Sequence, residues 1–274
     1  MLQPYFLETP QGRIFIQTFS PTGPTTEAVI FVPPFAEEMN KSRRMMALLG
    51  HALSANGVLM AIPDLYGTGD SEGDFAEANW VIWLANIQQL IQKLEQQGIK
   101  TISFVGLRMG CLLIIDFLRE QKAKVKRVVL WKPVLSGQQM LNQFLRLRVA
   151  NSMMDGQKET TQTLRALLTL EGEIEVAGYR LNADLVSTLD EKKITAENFY
   201  KTIHLNWFEV LANENQPVPV ASGRLVQELK QHGVAVDLQT KVGESFWSNQ
   251  EIAEIPELIT DTCQLFCESG ANGH

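Results

Sequence analysis

The chain is poor in the residues from which several kinds of protein are built. Of its 274 residues only three are cysteine, Cys111, Cys263 and Cys267, and four are histidine. Three cysteines cannot form a disulfide framework. Cys263 and Cys267 lie four apart on a helical pattern and would make at most half of a metal site; with no second Cys or His pair near them, buried thiols and no metal are expected. No cofactor is expected either. Positive charge is also scarce: the net charge is -7, which argues against a general nucleic-acid binder, since neutralising phosphates needs a basic face. Apolar runs fall well short of the roughly 20 residues that cross a bilayer. The start, MLQPYFLETPQGR, lacks the basic stretch and apolar core of a secretory leader. No membrane span and a cytoplasmic location are expected.

Apolar residues are plentiful, at 45% hydrophobic against 20% charged, enough for one or two globular domains with a sizeable core. Strand-like runs alternate with helical patterns. GRIFIQTF (12–19) alternates in period two, and EAVIFVPP (27–34) is β-rich and ends at two prolines. A helical pattern over 42–57 puts Met46, Leu49 and Leu53 on one face and closes at Asn-Gly. VLMAIPDL, a helix over 79–98, TISFVG and a buried strand within 125–135 follow. Such alternation predicts an α/β fold, a mostly parallel sheet covered by helices on both faces. Residues 136–201 break the rhythm with polar helices and one small β-like piece, GEIEVAGYRLN. They are expected to be a mostly helical cap inserted into a core formed by 1–135 and 202–274. Strand and helix then alternate again through 203–212, 221–233, 234–243 and 249–268.

The stretch FVGLRMGC (104–111) carries the chemistry. A β-rich run enters Gly-x-x-x-Gly and a helical run leaves it. In a nucleophile turn of this shape, small flanking residues allow close approach and the strained middle residue projects above the sheet. Here the middle residue is Arg108, whose guanidinium stays protonated at any physiological pH and cannot attack a carbonyl.

Taken in order, FVPPFAEEMNKSRRMM, DLYGTGDSEGDF, GLRMG, LWKPVLSGQQMLNQFLRLR and VGESFWSNQEI resemble the exosortase A system-associated hydrolase 2 family. That family lies within the α/β-hydrolase superfamily, and the resemblance spans nearly the whole chain. It implies an α/β-hydrolase fold, a bacterial setting of exopolysaccharide synthesis and exosortase sorting, and an arginine in this turn as usual. A partner protein from that system would be an expected alternative to a small ligand.

A serine-hydrolase cycle needs a nucleophile, a histidine base and an orienting carboxylate. The histidine should follow the last strand, yet Gly243–Asn249 contains none, and Ser245 stands about where it would be. His51, His204, His232 and His274 fall in a helix, a strand start, a helix end and the terminus. Nucleophile and base are therefore both missing, and ordinary serine-hydrolase catalysis is not expected. Catalytic candidates for non-standard esterase- or thioesterase-like chemistry are Glu37, Asp64 and Cys111, with Glu38 and Asp70 as further carboxylates and Ser71 a loop-bonding residue. The other expectation is that Arg108, at a helix N-terminus, holds an anionic or acyl ligand. Met109, Phe35, Ala36, Glu37 and Trp247 would line that site with it. A third possibility is that Arg108 is paired internally with Glu37, Glu38 or Asp64, since a buried unpaired arginine is costly.

Overall fold

The computed structural model describes residues 1–121, 125–154, 158–199 and 203–267; His274 and the end of the 136–201 segment lie outside them. Ten strands are present among the described residues: β1 (Leu2–Leu7), β2 (Ile14–Phe19), β3 (Glu27–Val32), β4 (Leu59–Pro63), β5 (Thr101–Leu107), β6 (Val128–Trp131), β7 (Glu173–Val176), β8 (Tyr179–Asn182), β9 (His204–Leu211) and β10 (Ala235–Val242). Eight of them form one sheet in the order β1-β2-β4-β3-β5-β6-β9-β10. β1 and β2 run antiparallel at one edge, and β3 to β6 with β9 and β10 are parallel.

The central strands are apolar on both faces, as a doubly covered sheet requires. Alternate residues go to opposite layers. Ala28, Ile30 and Val32 join one hydrophobic cluster, whereas Val29 and Phe31 join the other. Val128 and Leu130 pack on the first side, Val129 and Trp131 on the second. The second side is covered by α1 (Glu37–Ala55) and the carboxy-terminal helix Pro256–Cys267, whose Leu49, Leu53, Leu258 and Phe266 are buried there. The first is covered by α2 (Trp80–Gln96) and α3 (Met109–Gln121), with Val220–Gln231 also contributing Leu225 and Leu229. Cys263 lies in the second cluster, its Sγ 3.8 Å from that of Cys267, and no group of metal-ligating side chains occurs among the described residues. No described helix is long and apolar enough to cross a membrane.

Two boundaries differ from the sequence pattern. The helix expected at 42–57 begins at Glu37, because the polar turn EEMNK already has helical geometry once Ala36 has turned the chain. The final helix, expected from 249, begins only at Pro256, a residue suited to a first helical turn. The edge strand β1, LQPYFL, was missed: it lies on the sheet edge, is mostly exposed and carries little apolar pattern.

Between the neighbouring strands β6 and β9 the chain makes a long excursion: α4 (Gly137–Met154), α5 (Thr161–Glu171), the hairpin β7–β8 and α6 (Ala183–Glu191). Its base closes where Ser136 bridges Lys193 and the Ile194 N–H donates to the Leu135 carbonyl at 3.0 Å. Leu141, Leu145, Leu164, Val176 and Leu185 belong to the same apolar cluster as the sheet, so the excursion has no separate core. Asn182 fixes it laterally. Its amide donates to the carbonyls of Ala76 and Ala78 at 2.8 and 2.7 Å, while its Oδ1 accepts from the Leu185 N–H and caps α6. Replacing Asn182 with Ala removes a cap and leaves two carbonyls unmet, at a cost of about 2 kcal/mol. Urea unfolding should show that loss, and limited proteolysis should reach 158–199 before the sheet.

Candidate functional site

The site begins with a backbone constraint. A Cβ on Gly110 would fall on the carbonyl oxygen of Val32 and 2.8 Å from that of Pro33. On Gly106 it would meet Ile114 Cδ1 at 2.6 Å and the Cys111 nitrogen at 3.0 Å. Gly110 is therefore a steric necessity, because its clash is with backbone, while Gly106 sits in tight space that a shift of Ile114 would partly relieve; between them Arg108 adopts φ 54. The turn is held by its own backbone: the Arg108 N–H donates to the Trp131 carbonyl at 3.0 Å, and the Arg108 carbonyl accepts from Cys111 and Val134. Two further non-glycine residues with positive φ, Ala36 (51) and Lys132 (44), follow β3 and β6. Three left-handed residues thus sit at the carboxyl ends of three parallel strands, where ligands bind in open α/β sheets.

Arg108 is largely buried, its side chain 16% exposed. Its Nε and Nη2 both approach Oε1 of Glu38 at 3.3 Å. The guanidinium carbon lies 5.5 Å from the ring centroid of Trp247, a cation–π contact. Glu38 Oε2 is buried with no partner. Burial holds the Glu38 carboxyl above the usual carboxylate range, against the pull of Arg108 and Lys41. Beside this pair opens a cavity of about 460 Å³. Phe35, Met140, Phe144, Leu147 and Trp247 give it an apolar wall, and Glu37, Glu38, Lys41, Arg108, Gln143 and Asn151 a polar one. A smaller hollow of about 190 Å³ on the other side of Arg108 is lined by Lys132, Ser136, Gln139, Glu209 and Ser222. There Lys132 Nζ donates to the buried Glu209 Oε2 at 2.6 Å, and Trp207 Nε1 donates to its Oε1 at 3.0 Å.

The expected site residues divide. Arg108, Phe35, Glu37 and Trp247 meet at the large cavity. Met109 and Ala36 are buried and line instead a hollow of about 40 Å³ behind Phe35. Glu37 faces the excursion, accepting from the Tyr179 hydroxyl at 3.1 Å, and burial together with that carboxylate pushes the Tyr179 pKa up to about 12. Asp64 is not the partner of Arg108. It is buried in the glycine-rich loop, where Arg43 Nη2 and the Asp70 N–H donate to its Oδ2 at 2.8 and 2.9 Å. Ser71 ties the same loop together through the Asp64 carbonyl and the Phe15 N–H, and Asp70 itself is exposed. Cys111 is fully buried, its Sγ 3.1 Å from the Gly106 carbonyl, and burial pushes its thiol far up. That is a packing thiol, one helical turn past the residue that faces the cavity.

None of the three described histidines lines the cavity. His51 lies on α1 against Phe19, His204 pairs with Asp237 at 2.7 Å, and His232 bonds the Glu228 carbonyl at the end of its helix. After β10 the chain presents Trp247 to the turn, and Ser245 is exposed. Sequence reasoning missed Lys41, Gln143, Phe144, Leu147 and Asn151, which come from α1 and from α4. It also missed Lys132, whose one legible sign is its place directly after the apolar strand VVLW.

A sheet of this order, with a strained turn between β5 and α3, defines an α/β-hydrolase fold. The chain belongs to the serine aminopeptidase S33 family, whose model matches residues 23–188. Among solved structures it is similar to Est1E of Butyrivibrio proteoclasticus with ferulic acid bound, at 18% identity and a TM-score of 0.70 over 97% of this chain and 98% of that one. It is similar also to a thermostable carboxyl esterase of Bacillus coagulans (14%, 0.67, 97% of each chain) and to the thioesterase domain of the curacin biosynthetic pathway (15%, 0.56, 98% of each chain). No curated protein matches the sequence.

Two outcomes follow. Gly110→Ala should cost about 3 kcal/mol, because the clash is with backbone and cannot be relieved by a rotamer change; the urea midpoint measures it. Because folding raises the Glu38 pKa, the proton it carries contributes stability that is full below the unfolded carboxylate range and is lost as pH rises through the folded value. Glu38→Gln should therefore flatten the acid-to-neutral stability profile and leave the protein at least as stable as wild type at neutral pH.

Proposed function

We propose that the protein binds a small ligand with a carboxylate head and an apolar acyl or aryl body, without serine-hydrolase catalysis. The observation that carries this reading is Arg108 at φ 54 in the turn between β5 and α3, opening onto a cavity with one apolar wall. In a serine hydrolase that turn presents the nucleophile. A permanent cation there favours a bound anion and cannot form an acyl-enzyme. The loop after β10 supports the same reading, since it brings Trp247 and no histidine to the turn. The ferulic acid bound by Est1E is a carboxylate of the class in question.

In this proposal residues 136–201 act as a cap, with α4 forming the apolar wall over the ligand. The motif order shared with the exosortase A system-associated hydrolase 2 family favours a cytoplasmic role beside bacterial exopolysaccharide synthesis or exosortase sorting. There a protein of that system is the alternative partner. Residual esterase- or thioesterase-like chemistry through Glu37, Asp64 or Cys111 is the competing reading; Asp64 and Cys111 are buried away from the cavity, which leaves Glu37, in its lining, as the carboxylate such chemistry would use.

Thermal shift and titration calorimetry with octanoate and ferulate, and with octanamide as a neutral control, test the proposal. The carboxylates should stabilise the protein and the amide should not. Arg108→Met should weaken carboxylate binding on the order of a hundredfold, the scale of a lost charged hydrogen bond. Arg108→Lys should recover part of it, since it keeps the charge without the fork. p-Nitrophenyl ester and acyl thioester turnover should stay at background. Turnover that disappears on changing Glu37, Asp64 or Cys111 would overturn the reading.

A further inference from the structure

The contact between Arg108 and Glu38 is looser than the best-made arginine pairs among the described residues; Arg43 also reaches one oxygen of a buried carboxylate whose other oxygen has no partner, that of Asp64, but at 2.8 Å and away from the cavity. Arg148 and Arg165 each form a two-pronged bond with a carboxylate: Arg148 holds both oxygens of Glu159 at 3.1 and 2.7 Å, and Arg165 both oxygens of Asp190 at 2.5 and 3.0 Å. Arg108 instead directs Nε and Nη2 at one oxygen of Glu38, each at 3.3 Å, longer than the usual charge-assisted bond of about 2.7–2.9 Å. The second oxygen, Oε2, is buried and bonds to nothing. Both residues line the 460 Å³ cavity. We infer that Glu38 is an internal stand-in for the ligand, and that a carboxylate entering the cavity takes over the Arg108 fork while Glu38 turns aside, takes up a proton from solvent and, as the neutral acid, keeps that proton and hydrogen-bonds the ligand carboxylate through Oε2.

This deepens the proposed carboxylate-binding function and rests on it. The charge balance requires the proton. The ionisable groups at the cavity are Glu37 and Lys41 from α1, Glu38 itself, and Arg108 from the turn; α4, the β7–β8 hairpin and the loop after β10 contribute only neutral groups to its lining. On the far side of Arg108, Lys132 and Glu209 already pair with each other. Lys41 Nζ donates to the Ser248 carbonyl at 3.1 Å, and Glu37 is engaged by Tyr179. A ligand carboxylate beside an ionised Glu38 would place two negative charges on one guanidinium in a partly dry site, which like-charge repulsion opposes. One proton from solvent relieves it. The neutral acid then supplies the donor that the buried Oε2 lacks a partner for, and Arg108 gains two oxygens in place of one. Burial already favours the protonated form of Glu38.

Titration calorimetry of the full chain with sodium octanoate, at neutral pH in two buffers of unlike ionisation enthalpy, reads the proton directly. Wild type should take up a proton fraction approaching one per ligand and bind more tightly as pH falls. Glu38→Gln should take up none and bind roughly tenfold tighter at neutral pH, the equivalent of one pKa unit, with no pH dependence. Glu38→Met, which has no donor, should also take up none. Proton uptake that persists in Glu38→Gln, or weaker binding by that variant, would overturn the inference and make Glu38 a residue that merely positions Arg108. Folded wild type and Glu38→Gln that both fail to bind octanoate would instead overturn the carboxylate-binding function, and the stand-in role with it.

Discussion

Gly110 lies against the carbonyl oxygens of Val32 and Pro33, and this backbone-on-backbone contact sets the distance between the end of β3 and the turn after β5. Everything at the site descends from it. With β5 and β3 paired in parallel register through Val32 and Gly106, a chain leaving β3 has almost no room before it meets the turn. Two prolines and a left-handed Ala36 carry it away at once, and α1 starts at Glu37. Glu38 is thereby delivered beside Arg108 although 70 residues separate them in sequence. The same closeness leaves Arg108 little freedom except to point above the sheet.

A permanent cation in that place is under opposing demands. Arg108 immediately precedes α3, and the unmet N–H groups of a helix start repel positive charge. Its side chain is largely withdrawn from water as well. Only nearby negative charge or π density offsets these costs. Trp247 supplies a ring face, and Glu38 supplies a carboxylate that is itself disfavoured by burial. A pair in which desolvation raises the carboxylate pKa, despite a guanidinium at 3.3 Å, is not primarily a stabilising device. Its geometry agrees, because well-made forks elsewhere in the same chain use both carboxylate oxygens.

How far this was legible in the sequence depended on the kind of constraint involved. The parallel sheet announced itself through runs such as AVIFV and VVLW, where both faces are apolar and turn residues flank them. The turn at 106–110 was legible because steric demands there leave glycine little alternative. The choice of Glu38 over Glu37 or Asp64 as the partner of Arg108 was not legible: neighbouring glutamates at a helix start differ only in the direction their side chains take, and that is decided by tertiary packing. Asp64 was drawn instead to Arg43, one helical segment upstream. The cavity wall from α4 was invisible for a related reason. Its Met140, Phe144 and Leu147 follow an ordinary amphipathic pattern that says an apolar face exists without saying what it faces. Trp247 was found only because the loop after the last strand is where such a fold directs a side chain at the turn.

The left-handed residues at the ends of β3, β5 and β6 make the last connection. Ala36, Arg108 and Lys132 each hold a conformation that costs an L-residue about 1–3 kcal/mol, and each is held by backbone bonds that side-chain replacement alone would leave in place, such as Lys132 N–H to the Phe208 carbonyl. The strain therefore belongs to the scaffold and not to any one side chain. A scaffold of that kind keeps presenting whatever stands at position 108, with the same aim and the same neighbouring wall. Exchange of a neutral nucleophile for a guanidinium then changes the chemistry without disturbing the geometry. In the function proposed above, such a site selects for charge instead of forming a bond to carbon, and the apolar wall holds the body of an acid.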